Sequence, residues 1–451
     1  MSARGHARRG RRAPIPEFPI RVDRLSHEGR GIAQWGERVL FVGGALPGEL
    51  VRVKVLNKTS QVAEGIATEV LESSPQRITP LCPHAGHCGG CALQHLSAEQ
   101  QVAIKTDALS GLMLKSGLDL KRVTRLPALL GPSLGYRRRA RLGVRWVRAK
   151  DRILVGFRER ASNYIADISD CPVLDGRIGQ HLGRLAGAIA AFSRVDQVPQ
   201  VEVAAGDDTV AIVVRHLTPL TDTDRQILLD LGLETGWHIY SQAAGPDSIQ
   251  RLWPEDGPTA LTYRIGELGL EYQFEVTDFT QINSEINRKM VLQALELLQL
   301  SSYDRVLDLF SGLGNFTLAA ATQAAWVTAV EVSPTMVARC LNNAAHNRLT
   351  NIDAAACDLT APIAAQQWAR ADYSVVIIDP PRSGAREVLE ALPLTGVERI
   401  LYVSCNPATL ARDAAILHER GFVMTHLGMM DMFPQTAHVE SMALFVRGRR
   451  G

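Results

Sequence analysis

The stretch that decides the fold is RVLDLFSGLGNF, residues 305–316. An apolar run too short for a helix ends at Asp308–Phe310, and Gly312 and Gly314 follow at once. Neither glycine carries a Cβ, so the backbone can turn tightly there and approach a ligand closely. TLAAATQ (317–323) then resumes a helical composition. Outward from this strand–turn–helix, the same alternation repeats. A helix is expected over about 283–299, then WVTAVEV (326–332), a helix over 334–347, SVVIIDPP (374–381), a further helix, RILYVSCNP (399–407) and a closing ALFVRG (443–448). Short apolar strands alternating with helices predict an α/β domain with a doubly wound, mostly parallel sheet over 277–451.

Such sheets bind ligands beyond the carboxyl ends of their strands. Three acids stand at successive strand ends: Glu331, 19 residues after Gly312, then Asp358 and Asp379. A carboxylate at the end of the second strand can accept both hydroxyls of a ribose. The third glycine of a dinucleotide fingerprint is missing, because Thr317 follows Phe316. A glycine turn with three acids therefore fits an S-adenosylmethionine site better than a dinucleotide site.

Upstream, the 451-residue chain has room for two or three domains, and its 46% hydrophobic and 21% charged residues are ordinary for a globular protein. No apolar run reaches the roughly 18 residues of a membrane-spanning helix, and the basic start lacks the apolar core of a secretory signal. A cytoplasmic location without membrane association is expected, and no obligate protein partner is evident. Residues 1–14 form a tail with five arginines and no acid, suited to attracting phosphates. Residues 15–74 read as short strands broken by glycine, which suggests a small barrel. Residues 75–276 are mostly strand-like, after a helix from Ala98 to about Lys115 that Ser97 and Gln100 would cap and that would pack on the catalytic domain. In this central region Tyr136–Lys150 holds seven basic residues and no acid. Strand alternation puts Arg139, Arg141 and Arg145 on one face and Leu142, Val144 and Trp146 on the other, an arrangement suited to a phosphodiester chain.

The net charge of +2 says little, but the seven cysteines divide informatively. Cys82, Cys88 and Cys91, with Cys171 further on, give four thiols suited to zinc or to a [4Fe–4S] cluster, and His84 and His87 in the loop can also serve zinc. Cys340 and Cys357, among alanines and leucines, read as packing residues. Cys405 stands apart: it lies between Ser404 and Asn406 at a strand's carboxyl end, on the rim where a methyl donor would sit. C5 of uracil is a poor nucleophile. Addition of a thiolate at C6 activates it, and a base must then remove the C5 proton. His438-Val439-Glu440 supplies candidate bases.

The segments FTQIN (279–283), DLFSGLGNF (308–316), DPPR (379–382), SCNP (404–407) and HVE (438–440) together resemble the ordered motif set of uracil-C5 RNA methyltransferases. That resemblance implies a class I methyltransferase domain in which Gln281, Phe310, Asn315, Glu331, Asp358 and Asp379 contact S-adenosylmethionine. It also implies Cys405 as nucleophile and Glu440 as base, with Arg382 a candidate for orienting the target base or its phosphate. Ser311 departs from the family's frequent cysteine, and the glycine turn does not depend on it. The cysteine spacing is similar to the [4Fe–4S] site of ribosomal members, and residues 15–73 resemble a TRAM domain, an RNA-binding barrel. This combination looks like the members that act on 23S ribosomal RNA, at the uracil-1939 type of position. Other readings are the same chemistry on a different ribosomal or transfer RNA uridine, a non-catalytic RNA-binding assembly factor, or an amino methyltransferase. Intact Cys405 and Glu440 speak against the last two.

Overall fold

In the computed structural model, residues 16–448 other than His27 are described. Contacts divide the chain into two compact units, residues 1–80 with 92–97 and residues 81–91 with 98–451. In the first unit six strands form one sheet, in the order Phe18–Arg21, Leu50–Lys58, Val62–Glu72, Arg38–Gly43, Gly31–Trp35 and Arg24–Leu25. Three register shifts in the long Leu50–Lys58/Val62–Glu72 pair bend it, as an extra residue in one strand does. The sheet covers a small core of Val22, Leu40, Val42, Val51 and Val53. Glu49, fully buried, is held by Arg77 through two bonds of 2.6 and 2.8 Å and accepts the Leu46 and Ser74 N–H groups. These partners hold its carboxyl below the usual range although burial pushes the other way.

The second unit contains two sheets, a hairpin and their helices. A six-stranded sheet runs in the order Ile249–Trp253, His238–Gln242, Val210–Arg215, Gln200–Ala205, Arg139–Val147 and Arg152–Gly156. Alternation along Arg139–Val147 sends Ala140, Leu142 and Val144 into a core shared with helices Leu182–Ala190 and Asp222–Thr235, and leaves Arg141 and Arg145 exposed. The hairpin Leu261–Ile265/Leu270–Phe274 buries Tyr263, Tyr272 and Phe274 in the same core as Ile286, Leu313 and Phe316. Packing is therefore continuous across residue 276 rather than divided there.

The second sheet has seven main strands: β1 (Arg305–Leu309), β2 (Trp326–Glu331), β3 (Ile352–Ala356), β4 (Val375–Ile378), β5 (Arg399–Ser404), β6 (Phe422–Met430) and β7 (Glu440–Arg447). Their order is β3-β2-β1-β4-β5-β7-β6, with Thr124–Arg125 added at the β6 edge. β1 to β5 pair in parallel, and β7 runs antiparallel between β5 and β6. The order reverses between β1 and β4, so the loops after them open a crevice at the carboxyl edge. Helices α1 (Ala98–Lys115), α2 (Ser284–Leu298), α3 (Thr317–Ala321), α4 (Pro334–His346), α5 (Arg386–Ala391) and α6 (Pro407–Glu419) accompany the sheet. α1 buries Gln101, Lys105, Leu109 and Met113, one residue per turn, and packs on α6 and β6. Among the described residues no helix is long and apolar enough to cross a membrane.

Candidate active site

The crevice is a cleft of about 610 Å³. Its walls collect Gln281, Phe310, Glu331, Asp358, Asp379, Cys405 and Glu440 from seven separate stretches of chain. Each arrives by a local rule. Asn283 caps α2 by accepting the Ile286 N–H at 3.2 Å, which fixes the FTQIN turn and points Gln281 and the 72% exposed Phe279 at the cleft mouth. Phe310 leaves β1 with φ of 63°, a left-handed conformation that is costly for an aromatic residue, and its ring lines the cleft. Gly314 has φ of 96°, and a Cβ there would lie 2.5 Å from Leu318 and 2.8 Å from the Cys340 sulfur. Only glycine fits. Cys340, fully buried, packs beneath that turn as its neighbours suggested.

Glu331 ends β2, and its carboxylate accepts the N–H of Gly312 at 3.2 Å and of Ser333 at 3.0 Å. These bonds tie the acid to the glycine turn and leave lone pairs facing the cleft. Asp358 is exposed; its Oδ1 accepts the Thr360 hydroxyl and N–H, and these bonds hold it below the usual carboxylate range. It is thus both a turn residue and a cleft residue. Val332, 61% exposed, and Met336 lie beside these acids and offer an apolar wall.

Cys405 follows β5 directly. Asn406 caps α6 through the Ala408 N–H at 3.2 Å and donates to the Arg382 carbonyl at 3.0 Å, so the SCNP and DPPR turns are stitched together. Buried Asp413 accepts the Ala385 N–H and the Tyr402 hydroxyl at 2.7 and 2.6 Å, bracing the same loop. Glu440 begins β7 at 8% exposure. Burial, then the Asp379 charge, pushes its carboxyl up to about 8, while Arg382 opposes. Burial alone takes Asp379 to about 7. Burial first, and then Glu440 and Asp379, push the Cys405 thiol up to about 11, and again Arg382 opposes. A thiol, two acids and one cation thus share one floor, and their charges are felt mutually. His438 accepts from Arg382 at 3.4 Å through Nδ1 and packs on Phe433 with ring centres 5.3 Å apart. Desolvation and Arg382 keep it below its ordinary range, hence neutral.

Three placements differ from the sequence reading. Asn315 is not among the cleft-lining residues: its carbonyl accepts from Tyr263 (2.9 Å) and Asn287 (3.0 Å), and its amide donates back to Asn287 (2.8 Å). Cys357 does pack against the core as expected, but it is only half-buried and also lines the cleft beside Asp358. Phe433 was not foreseen, because the DMFPQTA segment (431–437) has no period or spacing that marks a wall of the site. Val332 was within reach of the strand-end rule, being the residue after Glu331.

The cysteine group lies in the second unit, where the charges of Cys82 and Cys88 are both felt at Cys171. Arg160 donates to the carbonyls of Cys88 and Cys91. His84 and His87 face each other edge to face at 5.4 Å, and His84 lies within electrostatic reach of Asp167. Among the described residues no three His, Cys, Asp or Glu side chains stand in metal-holding geometry.

Comparison with known proteins is consistent throughout. Residues 136–448 match the tRNA (uracil-5-)-methyltransferase family and residues 16–68 the TRAM domain. The 23S rRNA (uracil(1939)-C(5))-methyltransferase of Alcanivorax borkumensis is 45% identical over 98% of this chain and 100% of its own length. The enzyme of the same name from Alkalilimnicola ehrlichii is 48% identical over 98% of this chain and 99% of its own. The crystal structure of Pyrococcus abyssi tRNA (uracil-54, C5)-methyltransferase in complex with S-adenosyl-L-homocysteine shares the fold, with a TM-score of 0.71 and 22% identity over 96% of this chain and 100% of that one. With matches of this extent and identity, the chain belongs to the RNA (uracil-C5)-methyltransferase family.

Proposed function

We propose that the protein transfers a methyl group from S-adenosylmethionine to C5 of a uridine in 23S ribosomal RNA, at the uracil-1939 type of position. The observation that carries the chemistry is the shared floor of Cys405, Glu440, Asp379 and Arg382 in one cleft. The choice of RNA rests on the near full-length relatives and on the TRAM match.

S-adenosylmethionine supplies an electrophilic methyl group on a positive sulfur. Glu331 would hold the ribose hydroxyls with the lone pairs its backbone partners leave free, Val332 and Met336 would lie along the adenine, and Asp358 and Gln281 would take polar edges. Asp379 is suited to the cationic end, whose arrival favours its ionised form. Phe310 would close the cleft over the bound molecule. Asn315 would act from behind, by fixing the glycine turn.

The target base must leave its stack to enter the cleft. Cys405 Sγ, as the thiolate, adds to C6, and the ring electrons displaced onto the C4 carbonyl oxygen make C5 nucleophilic; the guanidinium of Arg382, which lines the same cleft, would steady that oxygen. Once C5 carries the methyl group, the Glu440 carboxylate accepts the C5 proton, the C5–C6 double bond re-forms and the C6–S bond breaks, returning the thiolate. A carboxyl raised by burial is a stronger base than a solvated one, which suits this step.

We also propose that Cys82, Cys88, Cys91 and Cys171 hold a [4Fe–4S] cluster, with zinc the alternative. Four thiols, with the charges of Cys82 and Cys88 felt at Cys171, form a donor set suited to iron. The cluster would staple the 82–91 segment to the turn at residues 171–173. Protein prepared without oxygen should carry about four irons and four sulfides per chain, and zinc in their place would overturn the assignment.

The decisive test of the reaction uses 23S ribosomal RNA containing 5-fluorouridine. Fluorine at C5 cannot leave as a proton, so a covalent protein–RNA complex should accumulate and Cys405→Ala should form none. Trapping by that variant would overturn the mechanism, and mapping the adduct to another uridine would overturn the substrate.

A further inference from the structure

A second cavity, of about 1110 Å³, lies on the open face of the central sheet and shares no lining residue with the cleft. Along Arg139–Val147 the exposed Arg141 and Arg145 and the half-buried Gly143 contribute to its floor. Arg141, Arg145, Arg148 and Arg158 line it together with Trp146 and Tyr164. Arg141 is paired with Glu202 at 3.0 Å, and Arg158 has only a 3.4 Å bond to Asn163. Arg145 and Arg148 are exposed and make no ion pair among the described residues. One carboxylate, Asp196, also lines the groove, where Arg194 faces it at 3.4 Å. Tyr164 is 75% exposed, far more than a packing role requires.

Unpaired guanidiniums set against an exposed aromatic ring are the combination that binds single-stranded nucleic acid: the cations follow the phosphates and the ring takes the face of a base. Arg141 and Arg145 are four residues apart on one strand, so the basic wall runs about 13 Å and spans more than one nucleotide. An acidic peptide would use the charge and leave the ring idle. We infer that the groove binds an unpaired segment of the RNA substrate outside the target loop, with phosphates on Arg145, Arg148 and Arg158 and a base stacked on Tyr164. This inference rests on the reading of the protein as an RNA-modifying enzyme. It makes the central sheet a second point of attachment, so that the RNA is held at a distance from the reacting base.

The test compares the full-length protein with Arg145→Ala/Arg148→Ala/Arg158→Ala and with Tyr164→Ala, using a labelled 23S ribosomal RNA fragment that spans the target and its flanks. All four side chains are exposed, so unchanged melting is expected. The triple variant should bind at least tenfold more weakly, and its log–log salt slope should fall by about 2, at roughly 0.7 per phosphate lost. Tyr164→Ala should weaken binding fivefold or more with the slope unchanged. Turnover at saturating RNA should stay within twofold for both variants, since neither touches the cleft. Wild-type affinity and slope in the triple variant would overturn the inference, as would selective loss of binding to poly-glutamate. If the protein binds the fragment through these residues yet methylates no uridine, the catalytic reading fails and the groove stands.

Discussion

Lys105 Nζ lies 2.6 Å from Asp431 Oδ1, in a pair whose lysine is 1% exposed. The same ammonium donates to the Phe433 carbonyl at 3.0 Å. Four residues earlier on α1, Gln101 exchanges two 2.9 Å bonds with Gln435, which stands in a left-handed conformation. The Tyr136 hydroxyl adds a 2.8 Å bond to the Pro434 carbonyl. A helix that precedes the catalytic domain by 160 residues of sequence thus pins the loop that delivers Phe433 and His438 to the cleft and leads into Glu440.

Lys105→Met should therefore cost stability and turnover together. Removing one partner of a buried ion pair strands the other and costs about 3–5 kcal/mol. Lys105→Met with Asp431→Leu should recover much of that stability, because the pair is replaced by apolar groups. Turnover should recover less, since the bond to Phe433 is still gone. Urea denaturation and steady-state kinetics of the two variants check both statements; full kinetic recovery in the double variant would show that the lysine does not position the loop.

This suture also shows where sequence reading stops. The alternation of strands and helices, the glycine turn and the strand-end acids were legible because period and spacing carry them locally. The stripe on α1 was not, although the helix was expected to pack on this domain: its buried positions are Gln101, Lys105, Leu109 and Met113, half of them polar, so no apolar face shows which residues make the contact. Asn315 sits within a recognisable motif, yet its direction is set by Tyr263 and Asn287, which are distant in sequence. Motif membership located the site; tertiary partners decide which of its side chains face the ligand.

The Glu440 carboxyl should make the ligand-free protein lose stability as pH rises. Its folded value of about 8 lies above the usual 4.5, so its contribution is full below about pH 4.5 and disappears as pH climbs through 8. Asp379 and Asp308, each pushed up to about 7 by burial, act in the same direction. Glu440→Gln removes one of the three and should be more stable than wild type at pH 8.5 by a few kcal/mol, with little difference at pH 5. Urea midpoints at the two pH values read this directly. The same variant should form the methylated covalent adduct and fail to release it, as nothing then takes the C5 proton.

Cys405 should be a sluggish thiol until the cleft is filled. With its thiol pushed to about 11, alkylation by iodoacetamide should rise about tenfold per pH unit from 7 to 10. Arg382→Ala removes a cation that opposes the shift and should slow the reaction further at each pH. Cys357, half-buried in the same cleft, should be modified beside it, whereas Cys340, fully buried under the glycine turn, should not. Peptide mapping by mass spectrometry separates the three, and rapid alkylation of Cys405 at pH 7 in the ligand-free protein would contradict the electrostatic account.

Glu331 and Asn315 should separate cleanly as contact and support. Asn315→Ala removes the acceptor shared by the Tyr263 hydroxyl and the Asn287 amide in a largely buried cluster, at a cost of about 1–3 kcal/mol. The cofactor is not expected to touch its side chain, so affinity for S-adenosylmethionine should fall only as far as the glycine turn loosens, within about tenfold. Glu331→Ala should show the reverse: small loss of stability at the half-buried strand end, and a larger loss of affinity because two ribose hydroxyls lose their acceptor. Calorimetric titration with S-adenosyl-L-homocysteine and thermal melts of both variants provide the comparison. Equal losses of affinity with no loss of stability in Asn315→Ala would place that amide in the cofactor site after all.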